Sequence, residues 1–203
     1  MLNNKFSKGV IFSCIAAIFW GLPQPLFFNE LNHVETIEVV AHRGFWSFIF
    51  LFLLLILISN ISDFIEIFKS RKRIFILTIT AFLIAGNWAG FIYSVGQERV
   101  QDASMGYFIT PMISIILGYF FLNEKITKPK FASVCFMFLG ILFLFINLNQ
   151  FPFLIIWIGT SWAIYGLLRK QVNVNPSIGL LYETFIISLI SVSYTHLTLP
   201  TKC

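Results

Sequence analysis

The sequence predicts an all-α membrane protein, a polytopic helical bundle, on three observations. Residues of the set AVILMFWYC fill 58% of the 203-residue chain and charged residues only 11%, far from the balance of a soluble domain. The apolar residues fall in runs close to the ~20 needed to cross a ~30 Å hydrocarbon layer. Lys and Arg are distributed between these runs with strong asymmetry, the pattern that orients membrane proteins. Helices are the required element, because an open sheet would leave backbone N–H and C=O groups unpaired in lipid.

Seven apolar segments are expected, at residues 9–28, 37–59, 74–94, 103–122, 131–148 and 151–168, with a last one starting near Ile178. The run from Lys8 to Trp20 has the basic start and apolar middle of a secretory signal. No small-residue cleavage site follows before Pro23 and Pro25, so it reads as the first span, and the two prolines interrupt that span near its outer end. Asn149 and Gln150 alone separate the fifth and sixth segments, which requires a tight antiparallel helical hairpin.

Lys5 and Lys8 precede the first segment, Lys69, Arg71, Lys72 and Arg73 separate the second and third, Lys125, Lys128 and Lys130 follow the fourth, and Arg169 and Lys170 follow the sixth. The alternate connections hold Arg99 alone. Eleven against one predicts a cytoplasmic N-terminus. This placement also accounts for the net charge of +5 without nucleic acid, which would need a basic face on a soluble reader module. Cys14 and Cys135 lie inside apolar runs and Cys203 is the last residue, so neither a disulfide framework nor a metal-ligand spacing assembles.

The chain also contains a weak internal repeat. Phe19-Trp20-Gly21 resembles Ser161-Trp162-Ala163 at an offset of 142 residues, and each Trp is followed about 20 residues later by an ionisable group inside the next segment, Arg43 or Glu183. Five spans separate the starts of the two copies, so the second copy is inserted upside down. Inverted repeats of this kind place a substrate site at their interface near mid-membrane. Two copies imply roughly 300 residues and ten spans in two inverted five-helix repeats, of which seven segments are present. The organisation expected is a first repeat over 1–150, the beginning of a second over 151–190, and a non-native tail over 191–203. The string Ser-Val-Ser-Tyr-Thr-His-Leu-Thr-Leu-Pro-Thr from Ser191 to Thr201 resembles one translated frame of a transposon-based sequencing adapter, so native sequence is expected to end near Ile190.

An ordered set of short stretches carries a family resemblance: Phe19-Trp20-Gly21, Ala41-His42-Arg43-Gly44-Phe45-Trp46-Ser47, Asn87-Trp88, the run from Ala103 to Pro111, Phe121-Leu122-Asn123-Glu124-Lys125, and the run from Tyr165 to Lys170. Together these resemble RarD-type members of the EamA group in the drug/metabolite transporter superfamily. The chain departs from that pattern at Thr110, where Asn is usual, and at Asn123, where Gly is usual. The resemblance implies a secondary transporter, an exporter or exchanger of small metabolites or drugs in the bacterial inner membrane. It does not identify the substrate.

Candidate pathway residues are Trp20, Arg43, Asn87, Trp88, Tyr107, Thr110 and Glu183. Arg43 lies about six residues into its segment, where a cation costs roughly 2.5–3.5 kcal/mol. It is either a substrate-facing or gating charge, or a structural pair or snorkelling side chain. His42 beside it faces another way and reads as structural. Glu183, the one acid of its segment, carries substrate or a coupling proton on one reading and packs the bundle on the other. Depths of roughly 8–9 Å from opposite faces leave about 13 Å between the two charges along the normal, so no direct Arg43–Glu183 bridge is required. Asn87, with Gly86 and Gly90 in small-xxx-small spacing, suits close helix approach or a substrate hydrogen bond. Trp20 and Trp88 are candidate cavity walls. Pro111 removes a backbone donor from the fourth span and is a kink candidate, while Thr110, Ser114 and Gly118 form a small, polar face.

Partners expected are lipid, an unidentified small molecule, a coupling proton and a second copy of the chain, with no cofactor, metal or catalytic residue. An intramembrane enzyme lacks parts: Asp63 and Asp102 lie in connections and no nucleophile motif occurs. A passive channel or a non-transporting sensor is the alternative, and counterflow separates either from a carrier.

Overall fold

The computed structural model describes residues 2–58, 61–146 and 152–198. Among them are nine helices and no strand: α1 (Leu2–Gly21), α2 (Pro23–Glu30), α3 (Thr36–Ile58), α4 (Ile61–Phe68), α5 (Arg71–Gly96), α6 (Val100–Leu122), α7 (Lys128–Ile146), α8 (Phe153–Lys170) and α9 (Pro176–Thr198). Six stretches are long and apolar enough to cross a membrane, namely Ser7–Glu30, Thr36–Leu57, Arg71–Gly96, Val100–Leu122, Lys128–Ile146 and Pro176–Ser193. The chain is a multi-pass membrane protein. The sixth expected segment, now α8, falls short of that measure, and its last turn carries Arg169 and Lys170, while the seventh, now α9, meets it.

Local chemistry explains the boundaries. The expected interruption of the first span is a true break: α1 ends at Gly21, and α2 restarts at Pro23 with proline in its first turn, where the missing N–H has no intrahelical partner to lose. Ser70 starts α5 by accepting a hydrogen bond from the Arg73 backbone N–H at 3.4 Å, a side-chain cap. α6 ends at Asn123, whose φ of 51° is left-handed. The usual Gly of the family pattern fits that backbone, and Asn tolerates it better than most residues do. α6 runs unbroken through Pro111.

One element was not foreseen. Residues 60–73 read as a connection, yet 61–68 form α4 against α5 and α9. Ile67 is buried there and the Phe68 ring packs 5.7 Å from Tyr182, while Asp63 and Glu66 supply a polar side. The hairpin at Asn149 and Gln150 lies outside the described residues. α9 continues past Ile190 without a break, and the Ser191 hydroxyl donates to the Ile187 carbonyl at 2.7 Å.

Packing concentrates on five helices. α6 lies along α8, α3 along α9, and α5 sits against α3, α8 and α9. At the α6–α8 crossing the backbones come close, since a Cβ on Gly159 would stand 2.7 Å from the Gly106 carbonyl oxygen. Small residues permit such approach in lipid, where dispersion and hydrogen bonds, not hydrophobic exclusion, drive helix association. Gly44 similarly receives the Ile187 side chain on the α3–α9 contact. In α7 no residue is buried, as suits a helix whose apolar surface faces lipid.

Candidate functional site

The two ionisable residues expected inside the spans occupy different surroundings. Glu183 in α9 is fully buried. Its Oε1 accepts from the Thr80 hydroxyl of α5 at 2.6 Å and its Oε2 from the Tyr165 hydroxyl of α8 at 3.1 Å. Arg169 Nε stands 3.6 Å from Oε1, and Arg169 Nη2 donates to the Pro176 carbonyl at 3.1 Å. Three helices thus converge on one carboxylate, with a charge partner that offsets its desolvation. Arg169 Nη1 is buried without a hydrogen-bond partner, and the guanidinium lies where a Cβ on Gly179 would be.

Arg43 in α3 has no such set. Its guanidinium sits 4.1 Å from the Trp88 ring centroid and 5.5 Å from that of Phe28, in cation–π range. No carboxylate among the described residues pairs with it. It borders a cavity of about 840 Å³ between α1, α2 and α3, which Phe27, Phe28, Glu38, His42 and Trp46 also line. His42, expected to be structural, is exposed and lines this space.

Between the charges runs a continuous chain of rings. Phe28 contacts Phe91 at 6.0 Å, Phe91 contacts Tyr107 at 6.2 Å, and Tyr107 meets Trp20 edge-on at 5.0 Å. Trp20 is 6.2 Å from Trp162, which stacks on Tyr165 at 5.1 Å, and Tyr165 reaches Glu183. Arg43, Trp20, Tyr107 and Glu183 of the expected set are therefore joined through aromatic contacts from α1, α2, α5, α6 and α8, with no direct Arg43–Glu183 bridge.

Asn87 is fully buried at the centre of α5 and uses its whole amide. Its Nδ2 donates to the Ile158 carbonyl at 2.9 Å and to Ser161 Oγ at 3.0 Å, and its Oδ1 accepts from Tyr107 at 3.2 Å. Gly86 and Gly90 admit the Trp157 indole, whose Nε1 donates to the Gly86 carbonyl at 2.9 Å. The small-residue spacing thus receives a ring of α8. Thr110 donates to the Gly106 carbonyl at 3.2 Å and approaches that of Gly159 at 3.4 Å, placing it on the α6–α8 contact.

The sequence reading missed Thr80, Tyr165, Phe28, Phe91 and Arg169. Arg169 was placed in a connection, whereas the structure puts it in the last turn of α8 with its side chain turned onto Glu183. A usable signal existed: only residues 171–175 separate α8 from α9, so a long cation ending one helix can reach an acid two turns into the next. Outside the spans, the Lys170 ammonium bonds the Glu124 carboxylate and, with a smaller contribution from Lys130, holds its pKa below the ordinary value.

The chain is thus a polytopic helical membrane protein in which a buried Glu183 and a half-buried Arg43 are joined through a path of aromatic rings. Residues 7–146 match the EamA-like transporter family, and the chain belongs to that family. It is 33% identical over 177 residues to an uncharacterized transporter of Vibrio cholerae, covering 87% of this chain and 58% of that protein. It is likewise 33% identical to Protein RarD of Escherichia coli, with coverage of 87% and 60%. The uncharacterized transporter YojE of Bacillus subtilis is 30% identical over 197 residues, with coverage of 96% and 66%. The chain thus spans about 60% of the length of the first curated relatives it matches. No solved structure matches.

Proposed function

We propose that this chain supplies the first repeat and the opening of the second in a secondary transporter that exports or exchanges small metabolites or drugs across the bacterial inner membrane. The observation that carries this reading is the aromatic chain between Arg43 and Glu183, with a cavity at its Arg43 end. Trp20, Arg43, Asn87, Trp88, Tyr107, Thr110 and Glu183 are the pathway residues on this reading. Asn87 and Thr110 act by holding α6 and α8 in place.

Two contacts support the inverted repeat. Trp20 touches Trp162, its own counterpart at the 142-residue offset, and Gly44 touches Ile187, one residue from its counterpart. Residues lying on a pseudo-two-fold axis meet their own copies, so contacts at this offset are the mark of such an axis. On this architecture α8 is a seventh span, α8 and α9 belong to the inverted copy, and the N-terminus is cytoplasmic by the Lys and Arg asymmetry. Transport requires both repeats, so residues 1–203 alone do not transport.

The full-length protein in proteoliposomes provides the test. Preloaded substrate should drive counterflow of labelled substrate, which a passive channel or a sensor does not support. Screening metabolites released by expressing cells supplies the substrate. If Glu183 carries a coupling proton, Glu183→Gln abolishes pH-dependent uptake, and retained pH dependence eliminates that role.

A further inference from the structure

Given that the Arg43 cavity belongs to the transport pathway, its chemistry indicates which molecules it selects. At about 840 Å³ it lies in the size range of small-ligand pockets. Phe19, Phe27, Phe28 and Trp46 give it apolar walls, and Arg43 enters it with its ring contacts to Trp88 and Phe28 intact. Aromatic faces engage the flat face of a guanidinium. They leave the N–H edge, a planar fork matched to carboxylate or phosphate oxygens, for other acceptors. No protein acceptor among the described residues takes an Arg43 N–H, unlike Arg99 and Arg169, which both bond oxygens. Glu38 lines the same cavity five residues nearer the start of α3, about 7.5 Å along the helix axis, and forms no ion pair with Arg43.

A cation held by π contacts, with its donor edge free beside an apolar space, is complementary to an anion on an apolar body. We propose that this cavity selects soluble amphipathic organic anions, with a carboxylate or comparable oxyanion on Arg43 and an apolar or aromatic body against Phe27, Phe28 and Trp46.

The test is binding of three probes of matched shape, phenylpropionate, phenylpropionamide and phenylpropylamine, to the full-length protein in phosphatidylcholine nanodiscs by titration calorimetry. Phenylpropionate should bind at least about tenfold more tightly than the amide, as a charge-assisted hydrogen bond predicts. Arg43→Gln should bring acid and amide to nearly equal affinity, and a cooperative thermal unfolding transition shows that the variant is folded. Arg43→Lys, a charge without the planar fork, should keep part of it. Equal binding of acid and amide, preference for the amine, binding of none of the probes, or a preference that survives Arg43→Gln would each overturn the proposal. Displacement of phenylpropionate when phosphatidylglycerol is added would assign the site to a lipid headgroup and overturn the soluble anion. If counterflow fails but the acid preference stands, the transport reading falls and this one survives; if the preference fails while counterflow persists, only this one falls.

Discussion

Glu183 and Arg43 are both ionisable residues inside apolar helices, and the protein treats them differently. Glu183 has every oxygen occupied, by hydroxyls of α5 and α8 and by a cation at the end of α8. Arg43 is held only by ring faces and borders a cavity. A charge closed in by its partners is expected to support helix packing, because removing a partner exposes its desolvation cost. A charge held by π faces is expected to be replaceable in the fold and needed in the cavity. The contrast also bears on proton coupling, since any proton reaching Glu183 must displace bonds that knit three helices together.

The largest effect should follow from breaking the enclosed pair. Arg169→Ala leaves the Glu183 carboxylate buried without its cation and should cost about 3–5 kcal/mol, measured as unfolding free energy of the full-length protein in mixed micelles. Adding Glu183→Gln, which removes the charge and keeps hydrogen-bonding capacity toward Thr80 and Tyr165, should recover most of that loss. A cost under about 1 kcal/mol for Arg169→Ala, the range of an exposed pair, would erase the distinction between the two charges.

A milder perturbation sharpens the same point. A methyl group at Gly179 would occupy the space of the Arg169 guanidinium, so Gly179→Ala should displace that group from Glu183 and cost about 1–3 kcal/mol. In the Arg169→Ala background the same substitution should be nearly free, and that non-additivity is the signature of a shared contact. Full additivity would mean that Gly179 acts on something other than the ion pair.

The extent to which this was legible in the sequence follows from the range of each interaction. Run length and charge placement are local, and they located the main helices, including the break before Pro23. Arg43, Asn87 and Glu183 stood out because a polar residue in an apolar run is itself the signal. Their partners did not stand out. Thr80 is an ordinary residue of an apolar helix until α9 is packed beside it, and it lies 103 positions from the acid it bonds. Gly86 and Gly90 announced a close approach, but not that an indole would fill it. The close backbone approach of Gly106 and Gly159 joins two glycines with no motif linking them. α4 was missed because its eight residues fall far short of a span and its apolar side is short.

At Arg43 the comparison predicts a small stability effect. Arg43→Gln removes two cation–π contacts, to Trp88 and Phe28, each worth about 0.5–1 kcal/mol, and should lower unfolding free energy by no more than about 2 kcal/mol. Equal destabilisation by Arg43→Gln and Arg169→Ala would make Arg43 a structural residue after all, the reading the sequence left open.

Lys170 and Glu124, an ion pair outside the spans, set the lower end of the scale. Lys170 is exposed and Glu124 partly so, so water and salt screen their attraction. Its sign can still be read. Lys170 first, then Lys130, holds the Glu124 carboxyl below its reference value of 4.5, so the contribution is fully present above that value. It is lost as pH falls through the lower, folded pKa. Lys170→Ala should therefore raise the Glu124 titration midpoint toward 4.5, followed by carboxyl carbon NMR with Glu124→Gln to assign the signal. Lys130→Ala should raise it less, and added salt should shrink both shifts. Any stability difference between wild type and Lys170→Ala should be constant between about pH 6 and 8, where Glu124 is ionised in both, and should fade below the folded pKa. An unmoved midpoint would mean that solvent alone sets this carboxylate, leaving Glu183 as the acid whose state the fold controls.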